Sequence, residues 1–428
     1  MKSAFELLKN NGRFQLAKIL EKCGEMPVIE YSQKLYDYPV PCQLEPELLQ
    51  AFQIEFERLE FAGPELGKIL TDLEQNRILQ TSTHLTASEG PTFFAIHWLA
   101  SLGLPSQNSY LIGAFSGVSF SNSAWPGCLN FGPLYTVSQL LNSESPLYQE
   151  LLRAEKDRGK DTGERRISLL PGTLRDALVY RAPIPERFSQ ILPYLCSELK
   201  SVFSETQIGS SYSRWAIQSC QNVSNRLFEH KKILYFDLNE VIAQYLQMTL
   251  TQSTHFLYRL FFDDPLQKRV LQEFGPDVPF FTAPLIKKNK VKWETLTIEK
   301  KILKGSHQQI PLTPEAIVDA LGKGKVCPGI FLTFTVLSFL NGFKCLGSFE
   351  QIEYLTQFKE KWQRLGLLDQ QTIENVKTDG LTTGRFLDEG GMPVFPLDVI
   401  LGTEWRVDEK SRMQDLIEPL LPRLLRTG

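Results

Sequence analysis

The amino-acid sequence predicts an α/β fold: a Rossmann-like parallel sheet core with helical insertions and one insertion that contains a β-hairpin. Three observations predict it. Residues 78–104, ILQTSTHLTASEGPTFFAIHWLASLGL, read as an apolar strand, a turn of small and polar residues and an amphipathic helix. Residues 326–362, VCPGIFLTFTVLSFLNGFKCLGSFEQIEYLTQFKEKW, read the same way much further along the chain. Residues 233–237, ILYFD, read as a buried strand ending in a carboxylate, followed by the helical pattern LNEVIAQYLQMTL. Open α/β sheets bind ligands beyond the carboxyl ends of their strands, so chemistry is expected in these turns.

Residues 1–75 read as an N-terminal helical region. Phe5, Leu7, Leu8, Phe14, Leu16 and Ile19 trace one amphipathic pattern, and Leu48, Leu49, Phe52, Phe56 and Leu59 another. The core with its insertions is expected over 76–400. Within it, 78–80 form a short strand, 81–90 a loop, and Pro91 opens a helix in which Phe93, Phe94, Ile96, His97, Leu99 and Ala100 fall at helical spacing. A second strand follows at 110–115, and this order predicts a parallel βαβ unit. Residues 116–133, rich in Ser, Gly, Asn and Pro, read equally well as a ligand loop or a surface loop. The run EKDRGKDTGERR at 155–166 reads as a solvated loop, and about 155–230 as a mainly helical insertion. About 275–310 is β-rich, and VKWETLTIEKKILKG within it reads as an exposed hairpin or as edge strands protected by charge. Residues 313–321 form a short helix with Thr313 as N-cap and Pro314 at its first position. The most apolar stretch, 329–340, reads as a buried strand or helix, and 401–428 as a C-terminal helical tail.

The chain has 428 residues, of which 42% are hydrophobic and 22% charged, as in ordinary soluble globular proteins. Its net charge of −3 argues against a mainly electrostatic partner, whether nucleic acid or anionic membrane. The seven cysteines form no CxxC pair, which favours reduced thiols and a cytoplasmic location. The N-terminus lacks the apolar core of a signal peptide, and 329–340 is shorter than the roughly 20 residues that a membrane span needs.

His84 lies in a loop of small residues beside Ser82, Thr83, Thr86, Ser88 and Glu89. It reads as a general base or as a donor to an anion. Glu89 and Gly90 lead into a helix N-terminus, where Glu89 is either functional or a charge favoured by the helix dipole. His97, inside the apolar pattern, reads as a hydrogen-bonded core histidine. The five histidines show no HxxxH or HExxH spacing, so no metal site is expected. In the later turn, Gly347 lets the backbone approach a ligand. Ser348 and Gln351 read as a capping box or as ligand contacts, with Glu353 and Tyr354 one turn further on.

These segments resemble a known family. TSTHLTASEGPTFFAIHWLAS is similar to the TGQQxGLxxGPLYTIYK segment of the cysteine-adding enzymes of bacillithiol synthesis, the BshC type, with Thr81, Gly90, Pro91 and Phe93 in register. FLNGFKCLGSFEQIEYLTQFKEKW resembles that family's LLPTxAYIGGPGEIAYWxQLK, with agreement at Leu340, Gly347, Ile352, Tyr354, Gln357 and Lys359. GMPVFP at 391–396 resembles its MPVxxPR, and the three segments occur in the family's order. Thr83 and His84 stand where the family has paired glutamines. Residues 116–119 replace its acidic EDHD segment, and Phe349 and Glu350 replace small residues. The family's coiled-coil region is expected to be missing.

The resemblance implies a Rossmann-like core over roughly 75–400 and a ligase or transferase that forms a C–N bond between an amine or amino acid and a small polar acceptor. A nucleotide, ATP or ADP, bound nearby is part of that expectation. His84 and Glu89 would be catalytic. Thr83, Ser88, Gly90, Ser119, Asn122, Gly347, Ser348, Gln351 and Tyr354 would bind substrate. The expected partners are a small-molecule substrate and a second copy of the chain, with no nucleic acid and no membrane. A non-catalytic small-molecule or nucleotide-binding protein on the same scaffold is the alternative, and an interaction protein a third reading.

Overall fold

A computed structural model describes residues 2–118, 128–157, 165–168, 183–184, 186–203, 211–228, 231–287 and 290–425. The central sheet has four parallel strands, β1 (Ile78–Gln80), β2 (Tyr110–Ala114), β3 (Ile233–Asp237) and β4 (Lys344–Leu346), in the spatial order β4-β1-β2-β3. Ile78 lies opposite Lys344, Gln80 opposite Ile112, and Ala114 opposite Asp237.

Successive strand side chains point to opposite faces. Tyr110, Ile112 and Ala114 of β2 and Ile233 and Tyr235 of β3 join one hydrophobic cluster. Leu111, Leu234 and Phe236, with Leu79 and Cys345, join the other. Both faces are therefore covered, as near-continuous apolar strands require. Helix α1 (Pro91–Leu102) sends Phe94, Ala95, Trp98 and Leu99 into the first cluster. Helix α2 (Leu238–Thr249) sends Val241, Ile242, Tyr245 and Leu246 into the second. Helix α3 (Phe349–Leu365) contributes Ile352 to the first cluster and Leu355 and Trp362 to the second.

Described residues on both sides of 75 and of 400 join the same two clusters. Leu16, Leu20, Val28 and Leu35 join the first cluster, whereas Leu48, Phe52 and Phe56 join the second. Met413, Leu416 and Ile417 of the C-terminal helical segment are buried in the first cluster. The reason is physical: these amphipathic helices bury their apolar faces against the layers that flank the sheet. The first helical pattern is two helices, Lys2–Asn10 and Phe14–Cys23, separated by a turn in which Gly12 adopts φ +73°.

The apolar run at 329–340 is helical, Ile330–Phe334 continuing as a π-helical segment Thr335–Leu340. The strand of the second strand-turn-helix unit is the short β4 that follows it. β4 contains a charge: burial pushes the Lys344 amine down to about 8, and its Nζ donates to Leu35 O at 2.6 Å. The β-rich insertion is antiparallel, in the order Cys327–Pro328, Phe281–Lys287, Lys290–Glu299, Ile302–Lys304, Gln309–Pro311. Lys290–Glu299 pairs on both sides, so the lysine-bearing strand is interior and Gln309–Pro311 forms an edge. Thr313 caps Pro314–Gly322 as expected, accepting from Ala316 N at 3.3 Å. Of the charged run, 158–164 lie outside the described residues. Among the described residues no helix is long and apolar enough to cross a membrane.

Candidate functional site

The strand order creates the site. From β1 the sheet grows through β2 to β3 on one side, and the chain then returns to add β4 on the other side of β1. The turn after β1 leads toward β2, whereas the chain after β4 returns to pair Leu381 with Gly347, and a crevice is expected between the two turns at the carboxyl ends. A crevice of about 190 Å³ lies there. Thr81, Ser82 and His84 line it from the turn after β1, and Ser348, Gln351 and Tyr354 from the turn after β4 and from α3. Phe115, Gly117 and Val118 follow β2, and Asn239 follows β3. Thr282 and residues 328–330 of the insertion complete the wall. No Asp, Glu, Lys or Arg lines it among the described residues.

Backbone bonds fix the wall. Leu85 N donates to Phe115 O and Phe115 N to Thr83 O, both at 2.8 Å, so the ladder between the first two strands continues into their turns. His84 sits in this extension, half-buried, with its ring centroid 6.5 Å from that of Phe115 and 6.4 Å from that of Phe93. Asn239 pins the turn after β2: its Oδ1 accepts from Ser116 N and Gly117 N, each at 2.9 Å, and its Nδ2 donates to Pro328 O at 3.2 Å. Behind it, buried Asp237 caps α2 and accepts from Ser116 Oγ at 2.7 Å and Ser213 Oγ at 3.1 Å. Burial pushes this carboxyl up to about 6.

The capping box expected at Ser348 and Gln351 does not form, because the Ser348 side chain makes no cap bond. Gln351 folds back beneath the turn instead. Its Nε2 donates to Thr81 Oγ1 at 2.8 Å and reaches Leu346 O at 3.3 Å and Cys345 O at 3.4 Å. The space it fills is the one left by the missing side chain of Gly347: a Cβ there would lie 2.1 Å from Gln351 Cδ and 2.3 Å from Nε2. Gly347→Ala is expected to lower the unfolding free energy by about 1–3 kcal/mol, an overpacking cost that a urea melt measures.

Several predicted residues take other places. Glu89, expected to be catalytic, does not line the crevice. It is buried, with Oε1 2.9 Å from His97 Nε2 and Oε2 accepting from Tyr235 OH at 3.3 Å. The α1 face supplied a nearby imidazole, and a buried carboxylate needs such partners. Thr83 Oγ1 lies 3.4 Å from the same Nε2, away from the crevice. Ser88 is structural: its Oγ accepts from Asn130 N and its carbonyl from Asn130 Nδ2, both at 2.7 Å. Gly90 is the N-cap of α1 and does not line the crevice. His97 is the hydrogen-bonded core histidine expected. Ser119 and Asn122 lie outside the described residues. The motif at 391–396 is not on this wall either; Phe395 N donates to Asp398 Oδ2 at 2.9 Å, and Gly132 N donates to the same carboxylate.

Sequence reasoning missed Asn239. Its signal was a carboxamide in the first turn of the helix, two residues beyond the strand-end Asp237. Tyr354 does line the crevice, and burial holds its phenol well above the ordinary value and so neutral. Among the described residues no group of three or more His, Cys, Asp or Glu side chains could hold a metal ion. No family model matches the chain, and no curated protein or solved structure matches it.

Proposed function

We propose that the chain is a BshC-like enzyme that joins an amine or amino acid to a small polar acceptor in the crevice of a Rossmann-like sheet. The observation that carries this reading is the meeting of two distant bends: His84 and the first turn of α3 border one cavity. As an N–C bond forms, the attacking amine must lose a proton and the oxygen displaced from the acceptor carbon must gain one. An imidazole can take up a proton and release it again, so His84 takes the proton from the amine and returns it to the departing oxygen. The volume of about 190 Å³ is below the roughly 300–1,000 Å³ of pockets for drug-sized ligands, which favours a small metabolite over a nucleotide.

The test supplies the purified chain with mixed amino acids and pooled small acceptors, hydroxy acids and sugars, and looks for an N-linked product by mass spectrometry. His84→Ala is expected to lower the rate about 10²–10⁴-fold at an unchanged melting temperature. No product from the wild-type chain, or full activity of the variant, contradicts the reading. The burial of Glu89 away from the crevice favours one second reading, a non-catalytic binding protein. That reading predicts ligand-induced thermal stabilisation without consumption of the ligand.

A further inference from the structure

Gln351 carries an unanswered hydrogen-bonding demand. The residue is 2% exposed and forms part of the crevice wall, and its Oε1 has no partner among the described residues. The amide cannot satisfy itself by turning over, because its Nε2 faces the carbonyl oxygens of Leu346 and Cys345. Swapping the two atoms would set oxygen against oxygen. A buried acceptor left without a donor is costly, and no described residue supplies one here.

One turn earlier lies the start of α3, a 17-residue helix. Ser348 also lines the crevice, and its side chain makes no cap bond to the first-turn N–H groups. Such a helix start carries about half a positive charge. With no Lys or Arg on the described wall, it suits a single carboxylate better than a polyphosphate. No Asp or Glu lines the wall either, so an ammonium group at the Gln351 end, away from His84, would sit without a counter-charge. A hydroxyl brings one donor to the one vacant acceptor.

We propose that the crevice selects a small hydroxy-carboxylate, its carboxylate on the first turn of α3 and its hydroxyl donating to Gln351 Oε1, with Gln351 as the specificity-determining residue. This rests on the proposed enzyme reading and assigns the hydroxy acid to the acceptor side of that reaction.

Three near-isosteric probes test it by isothermal titration: lactate, both enantiomers, against propionate and alanine. At least one lactate is expected to bind about tenfold or more tighter than propionate and alanine. Gln351→Met, which removes the acceptor at similar size, is expected to bring lactate to the affinity of propionate. The inference is overturned if lactate shows no saturable binding, if lactate and propionate bind alike, if alanine binds tighter than lactate, or if folded Gln351→Met still discriminates. Should Gln351→Met fail to fold, the wild-type preference for lactate over propionate and alanine decides alone. Selective lactate binding without any N-linked product would remove the enzyme reading and leave the ligand assignment standing. An N-linked product without hydroxyl selectivity would do the reverse.

Discussion

Glu89→Ala is expected to lower the unfolding free energy by about 2–6 kcal/mol, about 1–3 for each of two stranded donors, seen as a lower urea midpoint at an unchanged slope. The size follows from a buried chain of bonds with one consistent direction. Gln80 Oε1 accepts from Thr81 N at 3.1 Å and Ser82 N at 3.3 Å, which fixes its Nε2 as the donor to Tyr110 OH at 3.2 Å. Tyr110 OH then donates to His97 Nδ1 at 3.1 Å, and His97 Nε2–H donates to Glu89 Oε1 at 2.9 Å. Tyr235 OH donates to the other carboxylate oxygen. Removing Glu89 strands both donors at a site from which water is excluded, and the disturbance reaches Ser82 on the crevice wall through Gln80. A loss below about 1 kcal/mol, the worth of one ordinary hydrogen bond, would show that the network does not hold this layer together.

The second large effect is a fall in stability as pH rises through weak acid. The Asp237 carboxyl moves from an ordinary 3.8 to about 6, chiefly through burial, with Arg58 pulling it down and Glu240 pushing it up. The folded chain therefore holds this proton over a range in which the unfolded chain has lost it. Stability from this group is full below about pH 4 and declines as pH rises to about 6, by about 3 kcal/mol in total. Melting temperature is expected to rise as pH is lowered from 7.5 to 5. Asp237→Asn is expected to reduce this dependence, with the buried carboxyls of Glu55, raised to about 7, and Asp398, raised to about 6, supplying the rest; an amide can still accept from Ser116 Oγ and Glu240 N while donating to Ser213 Oγ. A variant that keeps the wild-type pH slope would assign the titration elsewhere.

The sheet was partly legible. β1, α1 and β2 announce themselves because an apolar strand, a loop ending in Gly90-Pro91 and a helical pattern follow in order. β3 announces itself because ILYFD is buried on both faces. β4 was hidden for two reasons: it is short and contains Lys344, and the far more apolar run before it dominates any hydropathy reading. At the site, the turns after β1 and the α3 start were found, but two roles were not. Glu89 precedes α1 and His97 lies inside it, and only the folded path of the loop brings their side chains together. Gln351 has the spacing of a capping residue, but the space above Gly347 draws it inward, and no spacing rule encodes that competition.

The proposed chemistry requires the bends after β1 and β4 to share one ligand cavity. A crystal structure of the chain soaked with lactate tests this most directly. The predicted result is density bounded by His84 and Ser348, with the hydroxyl within hydrogen-bond distance of Gln351 Oε1. Density confined to another surface, or His84 and Gln351 on opposite sides of the molecule, would contradict it.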